Sequence, residues 1–125
     1  MKILIVEPDT GRQRQLRTIL ASLGHKSGEI ETVGDTKTAI NTLRKKRFDC
    51  AFMAMTPTLD ALALLKEIRS SSSKGLPSIV YSSEVTKENV VSAAEAGATT
   101  FLAYPFSVSD VENVVKQAIQ KGGTS

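Results

Sequence analysis

The sequence predicts an α/β fold: a doubly wound parallel sheet covered by helices on both faces. Two observations carry this. Short apolar runs of strand length alternate with longer segments of helical period, the pattern of repeated βαβ units joined by right-handed crossovers. The runs Ile3-Leu4-Ile5-Val6 and Cys50 to Met55 are moreover apolar throughout, as strands buried on both faces require. Five strands and five helices use the 125 residues once, with no internal repeat.

Each element has its own signal. Ile3 to Val6 is the first strand. Asp9 is a candidate N-cap, followed by Leu16, Ile19, Leu20 and Leu23 at helical spacing and by Gly24 as terminator. Glu29 to Val33 alternates weakly and reads as a second strand after the loop-like Lys26-Ser27-Gly28. The segment from about Thr36 to Arg47 sets Ala39, Ile40 and Leu43 on one helical face. Cys50 to Met55 is the third strand, broken at Thr56-Pro57-Thr58. Leu59 to Arg69 carries Leu62, Leu65 and Ile68 on one stripe, and the polar tract from Ser70 to Gly75 ends it. Ile79-Val80-Tyr81 is a short fourth strand. Thr86 caps a helix running through Val90, Val91 and Ala94 to Ala96, closed by Gly97. Thr100 to Ala103 is the fifth strand and Tyr104-Pro105-Phe106 a turn. Ser109-Asp110-Val111-Glu112 matches a capping box opening the last helix, whose buried face is Val111, Val114, Val115, Ala118 and Ile119. Residues 1–121 form the domain, and 122–125 are a tail or the start of a linker.

With 41% hydrophobic and 23% charged residues the chain has the balance of a globular protein, and its length suffices to bury roughly two-thirds of the unfolded surface. The single cysteine, Cys50, excludes an internal disulfide, fits a reducing compartment and reads as a small buried hydrophobe. The opening apolar run stops at Glu7-Pro8-Asp9, too short for a signal peptide or a membrane span, so a cytoplasmic protein is expected. A net charge of +3 does not by itself point to nucleic acid. The basic run Arg44-Lys45-Lys46-Arg47 falls where a helix ends and cations complement its dipole. His25 follows the glycine of the first helix, is expected in an exposed loop, and has no partner at metal-ligand spacing.

Ligands of such a sheet bind beyond the carboxyl ends of the strands, where the strand order reverses. The residues there are Glu7 to Asp9, Met53 to Thr56, Ser82-Ser83 and Tyr104-Pro105. In these stretches the sequence resembles a response-regulator receiver domain. Ile3 to Glu7 is similar to the receiver opening, Pro57 to Leu62 to the proline-led entry of its third helix, and Glu95 to Phe106 to the passage through the fifth strand to its Pro-Phe ending. The resemblance covers nearly the whole chain in order. It implies the flavodoxin-like (CheY-like) (βα)5 topology with strand order 2-1-3-4-5, and a cis peptide bond before Pro105.

An active receiver holds Mg²⁺ with an acidic pair after the first strand and takes a phosphoryl group on an aspartate after the third. A hydroxyl after the fourth strand and a lysine after the fifth contact the phosphoryl oxygens. Hard oxygen ligands, a carboxylate nucleophile and a cation are what this chemistry needs. Here Glu7 falls at the first acidic position and Pro8 at the second. The acceptor position falls on Met53 counted back from Pro57, or on Ala54 counted forward from Asp49. Ser82 stands where the switch hydroxyl belongs, and Tyr104 where the lysine belongs. Asp49 lies at the wrong end of the sheet, and Asp60 reads as a cap.

The expectation is therefore a degenerate pseudo-receiver lacking the phosphoacceptor, with no catalytic residue, metal or cofactor. It would act as a phosphorylation-independent interaction or dimerisation module through the face of the fourth helix, fifth strand and fifth helix, with Phe101, Tyr104 and Pro105 on the switch surface. Phe101 is expected inward, since burying a phenylalanine stabilises by roughly 2 kcal/mol. Control comes from partner level, from an effector domain fused outside the chain, or from a small ligand between Met53 or Ala54, Ser82 and Tyr104. No nucleic acid or membrane contact is expected of this domain. The alternatives are a Mg²⁺-dependent receiver with an unorthodox acceptor, using Glu7 and Asp9, and a nucleotide- or flavin-binding protein of the same topology. Pro8 weakens the latter by removing a backbone N–H from the phosphate-cradling loop.

Overall fold

The computed structural model describes residues 1–71 and 73–123, without the side chains of 121–123. The order is β1 (Ile3–Val6), α1 (Thr10–Ser22), β2 (Ile30–Val33), α2 (Thr36–Lys45), β3 (Cys50–Ala54), α3 (Ala61–Arg69), β4 (Ser78–Ser82), α4 (Lys87–Ala96), β5 (Thr100–Ala103) and α5 (Val108–Gly123). All five strands are parallel in the order β2-β1-β3-β4-β5. Helices α2, α3 and α4 pack side by side on one face, and α1 pairs with α5 on the other. Every residue of β1, β3 and β4 is buried, which is why β1 and β3 are apolar without alternation and β4 is so from Ile79 to Tyr81, between the buried Ser78 and Ser82. The edge strands β2 and β5 are only partly covered.

Helices α1 to α4, and α5 with a capping box, all open with a side-chain cap. Asp9, Asp35, Asp60 and Thr86 accept the backbone N–H of Arg12, Thr38, Ala63 and Asn89. Gly24 and Gly97 take positive φ just past α1 and α4, the backbone state that lets these helices end sharply. The peptide bond between Tyr104 and Pro105 is cis.

Several details depart from the sequence reading. The Ser27–Glu29 stretch forms a short 3-10 turn, so β2 starts only at Ile30. The capping box of α5 is Ser107 with Asp110, two residues before the one expected. Ser107 Oγ accepts the Asp110 N–H at 3.1 Å, and Asp110 Oδ2 accepts the Ser107 N–H at 3.0 Å. Ile119 is 42% exposed rather than buried, although the adjacent Ala118 is fully buried, so Ile119 lies off the buried face of α5. In α3 the buried stripe is Ala61, Leu64, Leu65 and Ile68, with Leu62 at its margin. His25 is half-buried, its backbone N–H bonded to the Leu20 carbonyl at 3.1 Å. Helix α5 continues to Gly123, into the stretch read as tail. Ser72, inside the polar tract, and Thr124-Ser125 lie outside the described residues.

Candidate functional site

The order reverses between β1 and β3, so the crevice lies above their carboxyl ends. Glu7 leaves β1 there with its backbone N–H bonded to Val33 O at 2.9 Å. Its side chain is 1% exposed. A buried carboxylate is unfavourable unless both oxygens are satisfied, and here both are. Oε1 accepts the Tyr81 hydroxyl at 2.8 Å, and Oε2 accepts the Asp9 N–H at 3.1 Å. Gln13 Nε2 donates to the Glu7 carbonyl at 2.6 Å and ties α1 to the same corner.

The register explains how Tyr81 reaches Glu7. Val6 pairs with Met53, and Met53 with Val80. One residue further on, Ala54 pairs with Tyr81 and Glu7 follows Val6, so these three side chains share a face and a level. Strand β3 lies between β1 and β4, and the phenol must cross it. Ala54, 1% exposed and carrying only a methyl, leaves the room to do so. Met53 is also fully buried, but its side chain points to the opposite face.

The other predicted positions gather at the same edge. Ser82 Oγ accepts the Glu84 N–H at 3.0 Å, and the Ser82 carbonyl accepts the Tyr104 N–H at 2.9 Å. The Tyr104 hydroxyl donates to Gln15 Oε1 at 2.7 Å, and the Arg12 guanidinium carbon sits 4.6 Å from the centre of its ring. Phe106 packs edge-on against Tyr81 at 5.5 Å and against Tyr104 at 5.3 Å. Phe101 is partly buried against the core, not fully enclosed. Asp9 and Asp60 are engaged as caps, and Asp49 accepts the Lys2 N–H at 2.6 Å at the opposite edge.

Residues 3–116 match the family described as the response regulator receiver domain. The chain belongs to that family. Chemotaxis protein CheY-3 of Vibrio cholerae is 28% identical over 123 residues, 97% of this chain and 93% of its own length. Transcriptional regulatory protein RprY of Bacteroides fragilis is 26% identical over 89% of this chain, which spans 46% of that protein. Among solved structures, the receiver domain of sensor histidine kinase PA1611 from Pseudomonas aeruginosa superposes with a TM-score of 0.84 at 25% identity. That match covers 95% of this chain and 97% of that one, whose structure has a magnesium ion coordinated in its active site cleft. This chain is thus a receiver domain of two-component signalling with the CheY-like fold. Among its described residues no helix is long and apolar enough to cross a membrane.

Sequence reasoning missed part of this candidate site. Tyr81 was visible only as a strand residue, and Arg12, Gln15 and Phe106 were not connected to the site at all. A signal for Tyr81 did exist: a tyrosine in a fully buried strand must find an acceptor, and Glu7 at the end of another buried strand must find a donor.

Burial, and then the Glu7 carboxylate beside it, hold the Tyr81 phenol far above the ordinary tyrosine range, so it stays a donor. Burial, with the nearby charge of Asp49, pushes the Cys50 thiol from 9.0 up to about 12. Both raised values favour the folded state fully at pH values below those of the unfolded groups, 9.0 and 10.0. Above them the unfolded chain ionises first, and stability falls by up to about 1.4 kcal/mol per pH unit per group. Urea midpoints are therefore expected to fall steeply above pH 9. Cys50→Ala should flatten the slope from that pH, and Tyr81→Phe only from about pH 10. Unchanged slopes in both variants would refute the assignment.

Proposed function

We propose that this receiver domain signals by protein contact, independently of phosphorylation, and is not an enzyme. The hydrogen bond from Tyr81 to Glu7 across Ala54 carries the reading. Ala54 is level with Glu7 and takes the acceptor position in this reading. Neither its methyl nor the Met53 thioether can accept a phosphoryl group. Tyr104 occupies the lysine position and is turned onto Gln15 and Arg12. Phosphoryl transfer depends on positioning and charge neutralisation, and this edge offers a neutral phenol where a cation is needed.

The residues present do not fit Mg²⁺. Octahedral coordination needs free carboxylate oxygens, but both Glu7 oxygens are taken, Pro8 has none, and Asp9 caps α1. Among the described residues no cluster of three or more His, Cys, Asp or Glu side chains has formed. The small-ligand alternative is disfavoured by the packing beside Ala54, where the buried Phe106 ring stands edge-on against both Tyr81 and Tyr104.

The contact surface is the face of α4, β5 and α5. Val91 and Val108 are 43% and 44% exposed there, and Ala103 is exposed on the unpaired edge of β5. A protein partner or a second copy docks on this face, in the cytoplasm, with residues 1–121 as the receiver unit. The 46% coverage of RprY is compatible with an effector domain beyond this chain.

Amide NMR during a Mg²⁺ titration, followed by beryllofluoride as a mimic of aspartyl-phosphate, tests the reading. The amides of Glu7, Ala54, Ser82 and Tyr104 are expected to stay unshifted. Saturable shifts clustered on them would mean that a phosphoryl site is intact, and would overturn the proposal.

A further inference from the structure

The end of the sheet opposite the crevice carries an open groove of about 870 Å³ that the receiver reading does not use. Leu43, Phe48, Leu76, Pro77 and the exposed Ile119 give it an apolar lining, and Arg44, Lys45, Lys46 and Arg47 form its basic wall. A second concavity, of about 610 Å³, shares Lys45 to Asp49, so this loop stands as a basic ridge between the two.

Helix-dipole compensation explains part of the run, because α2 ends at Lys45 with Arg44 and Lys45 in its last turn. Lys46 is paired with Glu31 at 2.7 Å. Glu29 is engaged by the Met1 amine and Asp49 by the Lys2 N–H, while Glu67 lines a smaller recess beside Arg44 without an ion pair to it. Among the described residues no carboxylate pairs with Arg44, Lys45 or Arg47. The result is a wall with three cations outside any ion pair, beside the apolar side chains of the groove.

We propose that this groove docks an acidic peptide segment of a protein partner, its carboxylates on Arg44, Lys45 and Arg47 and one apolar side chain against Phe48 and Leu76. Charge complementarity selects the acidic chemistry. The apolar lining selects a peptide over nucleic acid. A polyphosphate backbone would leave Leu43, Phe48 and Leu76 uncovered, and the cations form one short run rather than a track along a strand. The groove takes Ile119 from α5 but lies at the end of the sheet opposite the crevice, and its proposal stands or falls independently of docking on the α4-β5-α5 face.

The probe is a random peptide library selected on the whole chain and counter-selected against the Arg44→Glu/Arg47→Glu variant, with single-stranded DNA as a parallel ligand. Selected peptides are expected to carry Asp or Glu around an aliphatic or aromatic residue, and to shift the amides of Arg44 to Asp49 and Leu76. Their affinity should fall about tenfold or more in the charge-reversed variant, and similarly when the apolar peptide residue becomes serine. Both surface arginines are exposed, so the variant is expected to fold, and its amide spectrum checks that. Peptides without acidic residues, shifts located elsewhere, indifference to the apolar residue, or tighter binding of DNA to the same amides would each overturn the proposal.

Discussion

Ala54→Asp is expected to destabilise the domain by about 3–5 kcal/mol, the range found when an uncompensated charge is buried. Ala54 is 1% exposed and lies level with Glu7 and Tyr81. A carboxyl group there would stand in the path of the phenol, beside a carboxylate that is already buried, with no lysine to answer it. Two like charges at such a site cannot both remain ionised cheaply, so the introduced group holds its proton in the folded state above its unfolded pKa. Its destabilisation is therefore smallest near pH 4 and complete by about pH 7. Adding Tyr104→Lys should recover part of the loss, about 1–2 kcal/mol, by supplying a cation near the new charge. Urea unfolding of the two variants across that pH range makes the comparison. A neutral effect of Ala54→Asp alone would mean that the edge is open and repairable, contrary to the closed site described above.

How far the sequence announced this arrangement depended on whether each signal was local. Strands β1 and β3 were legible because burial on both faces writes itself as unbroken apolarity, and the end of β1 pointed directly to Glu7. The capping aspartates Asp9 and Asp60 were legible for the same reason, since the groups they satisfy lie three residues away. The start of α5 was not. Ser107 and Ser109 both precede an acidic residue at capping distance, so the local pattern does not choose between them, and the structure uses Ser107 with Asp110. Register was beyond reach as well, and with it the choice between Met53 and Ala54, which are distinguished only by which face each presents beside Val6 and Tyr81. The bond from Tyr81 to Glu7 joins residues 74 apart and passes over a third strand, so no window of sequence contains it.

That bond supplies the second large effect. Tyr81→Phe keeps the ring and its packing on Phe106 but removes the hydroxyl, leaving Glu7 Oε1 buried without a donor. The loss is expected to be about 2–3 kcal/mol, the range for orphaning a charged acceptor. Glu7→Leu alone should cost a similar amount, because it strands the buried phenol and the Asp9 N–H. The two substitutions together should cost clearly less than their sum, with a coupling of about 1.5–3 kcal/mol measured by a double-mutant cycle in urea. A coupling below about 0.5 kcal/mol would mean that the two groups do not meet in solution. Glu7 would then keep an oxygen free for a cation, and the argument against Mg²⁺ would lose its main support. A large coupling has the opposite consequence. An incoming metal ion would have to break this bond before gaining its first ligand from Glu7, while Pro8 and Ala54 offer no side-chain oxygen in return. The same interaction that stabilises the corner thus biases the receiver against the ligand on which phosphoryl transfer depends.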